Sequence, residues 1–367
     1  MIGDCAHIRH LFWSLHRRSR LDRMVMNFLQ HDIPLSFHTT FKIGGPARFF
    51  VEIQDVAQLK EALLFAREKD IPFFILGEGS NLLVSDAGFL GLVIKMGIRG
   101  IEWTDKGGKV EVVLSAGEHW DDVVEQTVVR NLSGFENLSG IPGTVGAAPV
   151  QNIGAYGTEL KDTLLWVEVF NMTTMTTKII SVDECACGYR DSIFKKPEGS
   201  GYIVLRVACV LKKDVQVDIS YKDLREFFST KDVASLSVQD VRNAVLSIRK
   251  AKLPDLTFYG TAGSFFKNPI VSRDEYDRLR ATYSSLSAFD LPDGKKKISA
   301  AWILDTLCNF KGYRVGTVGV YKNQALVLIN YGNGSAQEIM NLAQTMCDCV
   351  KKNTRINLER EVVTIGF

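Results

Sequence analysis

The sequence has no histidine beyond residue 119: His7, His10, His16, His31, His38 and His119 are the full complement. Acid–base chemistry in the C-terminal two-thirds must therefore use other groups, unless the fold returns His119 to it. No apolar run approaches the roughly 18 residues needed to cross a bilayer, so membrane insertion is not expected. An excess of either charge is also missing. The net charge is +2 over 367 residues, which gives no electrostatic reason to expect nucleic acid as a partner. Cysteine is sparse and odd in number: Cys5, Cys185, Cys187, Cys209, Cys308, Cys347 and Cys349. That usage suits reduced thiols in a cytoplasm. The two C-x-C pairs invite a zinc site, but no histidine lies near either. Cys347 and Cys349, two apart on a predicted helix, do not share a face. No metal is expected.

What is present is the texture of a globular protein, with 46% hydrophobic and 23% charged residues. The length points to two or three domains. Residues 1–24 differ from the rest, with five arginines, two aspartates and an apolar block (Leu11, Phe12, Trp13) too short for a signal peptide. A disordered extension, residues 1–26, is the expectation; a targeting peptide is the alternative. Beyond it the pattern is α+β. Strands are predicted at ARFFVEI (47–53), IPFFIL, LVIK (92–95), VEVVLSA (110–116), LLWVEVF (164–170), YIVLRVACVL (202–211), ALVLI (325–329) and EVVTI (361–365). Asp55, with Gln58 three residues on, opens a helix to about Lys69, and a second runs from His119 to about Arg130. Ser237 opens another, with Val238, Val241, Val245 and Ile248 on one stripe. Lys252-Leu253-Pro254-Asp255 reads as a domain joint. Further helices are predicted around 300–307 and, behind a Ser335/Glu338 capping box, to about Lys352.

Two stretches are glycine-rich and poor in regular pattern: Gly77–Asp86 and Ser139–Gly157. Glycines let backbone N–H groups converge on an oxyanion and let the chain approach a ligand closely. A pyrophosphate would use such a nest; plain turn-forming glycines are the alternative. The first stretch is not a dinucleotide fingerprint, because Leu82 stands at the third glycine position of G-x-G-x-x-G and Asp86 comes too early for a ribose contact. The second is long for a bare loop, and such segments are usually functional.

Eight blocks, in order, carry a resemblance: TFKIGG (40–45), ILGEGSNLLVSD (75–86), SGIPGTVGAAPVQNIGAYG (139–157), CGYRDSIFK (187–195), AGSFFKNP (262–269), SAAWILD (299–305), QALVLIN (324–330) and LEREV (358–362). Together they resemble the UDP-N-acetylenolpyruvoylglucosamine reductases, from about Phe37 to Gly366. Tyr221 in ISYKDL matches the subclass with a tyrosine-bearing loop. The resemblance implies a two-subdomain FAD-binding half of the vanillyl-alcohol-oxidase type and a smaller α/β substrate-binding domain. The implied boundaries are 27–98, completed by 354–367, then 99–250, then 251–353. FAD, held non-covalently, is expected at Gly77, Gly79, Ser80, Asn81, Leu82, Gly140, Pro142, Gly143, Gly146, Gln151, Asn152, Gly154, Ala155 and Tyr156. NADPH is the implied electron donor, and a cytoplasmic monomer is expected.

The implied reaction adds hydride to an enolpyruvyl ether, so negative charge develops beside its carboxylate. That carbanion needs fixed positive charge and an acid. Arg190 matches the carboxylate clamp, Ser264 the proton donor, and Glu361 a group assisting protonation, with Glu359 as its competitor. An ion pair for Arg190 and a capping role for Ser264 are the plain structural alternatives. Tyr221, Lys252, Asn268, Gln324 and, more weakly, Lys311 are the implied substrate contacts. Thr39 and Ala147 depart from the family pattern. Two rivals stand beside this reading: another flavin enzyme of the same fold, and a nucleotide-sugar-binding protein without catalysis.

Overall fold

The computed structural model describes residues 28–214 and 217–367; the predicted N-terminal extension lies outside them. The first sheet contains β1 (Gln30–Pro34), β2 (Pro46–Ile53), β3 (Phe73–Leu76) and β5 (Phe89–Met96), in the order β1-β2-β5-β3. The β2 and β3 strands run parallel to β5, and helix α1 (Val56–Glu68) is the crossover between them. Asp55 caps that helix by accepting from the Gln58 N–H at 2.8 Å. Gln58 reaches back to the N–H of Gln54, one residue earlier than a capping box requires. Ala62, Leu63 and Ala66 of α1 pack on Ile53, Leu92 and Ile94.

A second, antiparallel sheet is formed by β6 (Ile101–Asp105), β7 (Lys109–Ser115), β10 (Leu164–Asn171), β11 (Thr176–Ser181) and β12 (Tyr202–Lys212). Its period-two pattern gives it two apolar faces. Val112, Leu114, Val167 and Val207 pack on helix α2 (Trp120–Val129). Phe170, Ile203 and Leu205 join the α1 core. The second glycine-rich loop lies along the α2 side, where the Trp120 indole donates to Leu138 O at 3.0 Å. This loop contains the two-residue strand β8 (Gly154–Ala155), which pairs with β9 (Thr158–Glu159) just beyond it. Next come a short helix α3 (Lys222–Phe227) and the long α4 (Val238–Lys252), the latter closed by a Ser237/Asp240 capping box.

Past Pro254 the chain forms two small three-stranded sheets and three helices: α5 (Arg273–Thr282), α6 (Ala300–Trp302) and α7 (Ala336–Thr354). Their core also takes in Phe41, Ile43 and Leu83 from the N-terminal half. The last strand, Val363–Ile365, returns to pair in parallel with β4 (Leu82–Val84), in the register Val363↔Leu82 to Ile365↔Val84. Asp86 adds a second tie by accepting from the Ala336 and Gln337 N–H groups at the start of α7. A carboxylate there also complements the helix dipole.

The structure departs from the sequence reading in three places. The helix expected around 300–307 is one turn of α6 followed by a π-helical segment, Ile303–Leu307. The strand expected at 325–329 shrinks to Leu328–Asn330, because Val327 N–H turns back to Gln324 O. Cys308 and Cys349 form a disulfide across 41 residues, with Cα atoms 6.1 Å apart, rather than remaining reduced thiols. Spacing drew attention to the C-x-C pairs; packing of the π-helical segment on α7 selects a different pairing.

Asp121 on α2 and the buried Arg242 on α4 make two hydrogen bonds of 2.7 and 3.1 Å, and Asp121 also accepts from Gly140 N–H. Burial opposes the Asp121 charge, but Arg242 and the Gly140 amide outweigh it and hold its carboxyl below the usual range. We expect Arg242→Met to cost about 1–3 kcal/mol, reduced by the partial exposure of Asp121. A depressed pKa stabilises the fold above the unfolded value and loses that effect as pH falls through the folded one. Thermal melts should therefore show the wild-type advantage at neutral pH and its decline in acid.

Candidate active site

Two cavities meet between the glycine-rich loops. The first, about 370 Å³, is mostly apolar, with Gly77–Leu82 on one side and Ile141–Ala148 on the other. The second, about 330 Å³, contains Arg190, Ser264 and Glu361. Ser80, Asn81, Pro142 and Gln151 border both. Asn81 ties the partition together, since its amide donates to Gln151 Oε1 at 3.0 Å and to Glu361 O at 3.2 Å.

The glycines do not all serve as expected. Gly140 N–H is taken by Asp121, Gly143 N–H by Glu78 Oε2 at 2.7 Å, and Gly146 N–H by Ala116 O at 2.8 Å. These three amides are not free for an oxyanion. The need for glycine there is steric: a Cβ on Gly146 would sit 2.7 Å from that of Ala116, and Gly140 and Gly143 have φ of +70° and +129°. Among the described residues, the N–H groups of Gly79, Ser80 and Asn81 make no hydrogen bond to a protein acceptor. The first loop thus leaves three successive amides open to an anion, as do Thr144 and Gln151 of the second at the same cavity. Asn152 is also corrected. It is buried, and its side chain bonds Glu159, Gly188 O and Lys161 N–H, so it shapes the loop instead of facing the cavity. Leu82 borders the first cavity, whereas Gly154, Ala155 and Tyr156 line the second.

Glu78, absent from the sequence-derived set, explains how the two loops stay together. Its second oxygen accepts from His119 Nδ1. Arg99 lies 2.9 Å from His119 Nε2. A guanidinium can only donate, so Nε2 accepts and the ring proton sits on Nδ1, facing Glu78. Both of its oxygens are engaged, one by each partner, and so fasten loop to loop. His119 therefore serves the cofactor side.

Three distant segments bring Arg190, Ser264 and Glu361 together. Glu361 N–H donates to Phe265 O, which places Glu361 beside the Ser264 segment. The Ser264 hydroxyl makes no hydrogen bond among the described residues and borders the cavity. Arg190 donates to Gly154 O at 2.9 Å. Its Nε lies 2.9 Å from Glu361 Oε1 but is aimed off it, leaving an ion pair and an unsatisfied buried N–H. Glu361 is only 10% exposed. Burial raises its pKa, against the opposing charges of Arg190, Lys195 and Lys267. Glu359 is 71% exposed and paired with Lys267, which excludes it from the cavity and separates the two competitors.

Tyr221 caps α3 and packs edge-on against Tyr156, ring centroids 5.5 Å apart. Lys252 borders the second cavity and pairs with Asp223 at 2.6 Å. Gln324 lines the same wall. Asn268 does not: its side-chain oxygen accepts from Ala300 N–H, at the start of α6. Lys311 pairs with Asp305 in a neighbouring cavity of about 220 Å³, reached through Lys252 and Gln324. Arg249 was missed by the sequence reading. It lines the second cavity, one turn before Lys252 on α4, a spacing that could have revealed it. Burial pushes its pKa down and, beside it, pushes the Tyr156 hydroxyl up to about 12. Of the two departures, Thr39 spends its hydroxyl on Ile43 O, while Ala147 borders the first cavity.

A model of an FAD binding domain matches residues 47–179, and one for the C-terminal domain of UDP-N-acetylenolpyruvoylglucosamine reductase matches residues 255–365. A reductase of that name from Ralstonia nicotianae is 40% identical over 344 residues, 93% of this chain and all of the relative. The chain belongs to the UDP-N-acetylenolpyruvoylglucosamine reductase family. The Pseudomonas aeruginosa relative is 39% identical over 91% of this chain and 98% of its own length. The crystal structure of the Thermus caldophilus reductase superposes with a TM-score of 0.64 at 26% identity, covering 92% of this chain and all of that one. Membership makes the chain an FAD-dependent oxidoreductase with an α+β fold, an FAD-binding half and the family's C-terminal domain.

The first cavity fits FAD: it joins free amides at Gly79–Asn81 to an apolar slot. Gly79 has φ +64°, and a Cβ there would lie 2.2 Å from His38 O. Gly79→Ala should therefore displace the amides and lower the flavin content of purified protein, read as the ratio of flavin to protein absorbance. Arg190→Met removes a charge that opposes burial, so the Glu361 pKa should rise further. An infrared titration should show the Glu361 carboxyl band, identified by its loss in Glu361→Gln, persisting to higher pH than in the wild type.

Proposed function

We propose that this chain reduces the enolpyruvyl group of UDP-N-acetylenolpyruvoylglucosamine to give UDP-N-acetylmuramate, with NADPH as electron donor, in peptidoglycan precursor synthesis. The observation that carries this reading is the convergence of Arg190, Ser264 and Glu361 on one cavity that shares a wall with the FAD site. The walls at Gly77–Leu82 and Ile141–Ala148 would hold FAD, which when reduced would supply the hydride.

The remaining work falls to side chains. Arg190 holds the substrate carboxylate in a charge-assisted contact, where negative charge grows as the hydride arrives. Its Nε faces Glu361 at 2.9 Å and one terminal nitrogen bonds Gly154 O, which fixes the guanidinium at the cavity wall. Ser264 gives its hydroxyl proton to the carbanionic carbon. A serine hydroxyl is a weak acid, but the carbanion is a strong base, so the transfer runs downhill. Glu361 lies at the same cavity wall, with its charged form disfavoured by burial, and assists that protonation. Lys252, Arg249 and Tyr221 present two cations and a hydroxyl to the diphosphate. Gln324 orients the sugar or uridine groups. Asn268 acts indirectly, through the start of α6.

NADPH and the UDP-sugar occupy the second cavity in turn, which gives a double-displacement scheme. The division into 27–98 with 354–367, 99–250 and 251–353 belongs to this reading, as does a cytoplasmic monomer. Among the described residues no helix is long and apolar enough to cross a membrane.

Ser264→Ala should leave flavin reduction by NADPH nearly intact in anaerobic stopped flow. Reoxidation by the enolpyruvyl sugar should slow by about a hundredfold or more, as expected for loss of a positioned acid. Equal damage to both halves would remove Ser264 from the role of acid. Initial rates at varied NADPH and sugar should give parallel lines, and intersecting lines would rule out alternate occupancy.

A further inference from the structure

The pair Cys185 and Cys187 has no part in the reaction above, yet it sits at the root of the loop that presents Arg190. Cys185 is buried and Cys187 half-buried, and both are free thiols. Ala186 between them has φ +46°, which folds the chain into a tight turn. Both side chains pack into the same apolar core, with Val167 and Ile180, on either side of that turn. Cys185 is held on both sides, its N–H on Ser181 O and its carbonyl on Ile193 N–H. Cys187 is the outer member, in a field of charges that includes Lys161, itself paired with Glu159 at 2.8 Å, and Asp191.

From the structure we infer that Cys187 and Cys185 are a peroxide-responsive dithiol pair whose closure to a disulfide repositions Arg190. The chemistry balances without a further reagent. The Cys187 thiolate attacks one oxygen of hydrogen peroxide, the O–O bond breaks, and hydroxide leaves to take a proton and become water. The resulting sulfenic acid is attacked by Cys185, forming the S–S bond and releasing a second water. Two thiols are oxidised by two electrons and one peroxide is reduced. A dithiol reductant reverses the step by exchange.

The roles are set by position. Interaction with the Cys185 thiol, helped by the Lys161 charge, lowers the Cys187 pKa against its own burial, whereas the Cys187 thiol and then burial push Cys185 up. The attacking sulfur is thus the less buried of the two, and the resolving sulfur is the buried one. The coupling to the site is equally short. Gly188, the next residue, gives its carbonyl to Asn152 at 3.0 Å, and Arg190 donates to Gly154 O at 2.9 Å. Drawing Cys187 onto Cys185 pulls on both contacts, which register the Arg190 loop against the second glycine-rich loop.

The source of oxidant rests on the flavin reading, since a reduced flavin that meets dioxygen instead of its substrate yields hydrogen peroxide. The test does not need turnover. Flavin-loaded protein is treated with hydrogen peroxide, and its tryptic peptide Ile179–Arg190, which holds both cysteines, is weighed. The expected peptide has lost two hydrogens and resists alkylation until dithiothreitol is added. Reoxidation by the enolpyruvyl sugar should slow by about tenfold or more, the scale for a catalytic group displaced by about an ångström. NADPH-driven reduction should hold, and dithiothreitol should restore the rate. Cys187→Ser should make peroxide harmless, which also controls for the other cysteines. Cys185→Ser should leave a sulfenic acid on Cys187 that dimedone captures. A peptide of unchanged mass, or equal inactivation of Cys187→Ser, overturns the inference. So does a disulfide that leaves the reoxidation rate unchanged. A chain without flavin would defeat the reductase reading alone, because the peptide mass still judges the thiol pair.

Discussion

The parallel pairing of the final strand with the strand after the first glycine-rich loop is the constraint on which the site depends. It places Val363 against Leu82 and lets Asn81 bond both Gln151 and Glu361 O. Without it Glu361 would have no reason to stand near Arg190, and the wall between the two cavities would lose one of its sides. The same pairing buries Leu83 in the C-terminal core, so the two halves of the chain share apolar area instead of meeting at a joint. A contact across about 280 residues is entropically slow to form but, once made, ties the site to the stability of the whole fold.

Charge in the second cavity is unevenly compensated. Arg190, Arg249 and Lys252 face it with Glu361 and Asp223 as their counterions. Burial weakens the charge on both Glu361 and Arg249. Three cations against two carboxylates leave the cavity with an excess of positive charge that suits an anionic ligand. For the proposed reaction this would be electrostatic preorganisation, with donors fixed before charge develops.

The glycine-rich loops show how one residue type can serve two ends. In the second loop, the amides of Gly140, Gly143 and Gly146 are committed to protein acceptors, and glycine is required because a side chain would strike its neighbours. In the first, Gly79 packs on the His38 carbonyl so that the next amides stay open. Glu78 binds the two loops together through Gly143 and His119. Composition alone cannot tell these uses apart, because both need a residue without Cβ.

Taken by itself, the sequence determined whatever is local. Capping at Asp55, Ser237 and Ser335 was legible because a cap and its partner lie within one turn. The main strands of the second sheet were legible because their alternation repeats every two residues. The reading of Arg190, Ser264 and Glu361 as a group came from block resemblance, since nothing in their spacing relates them. Tertiary structure alone decided the rest: that Glu361 and not Glu359 enters the cavity, that Arg249 faces it, that Asn152 and Asn268 spend their side chains inside the protein, and that Cys308 bonds Cys349. Each of these depends on which atoms meet across long stretches of chain. Local periodicity carries no term for such meetings; only the packing of buried surface and the satisfaction of buried polar groups selects among them.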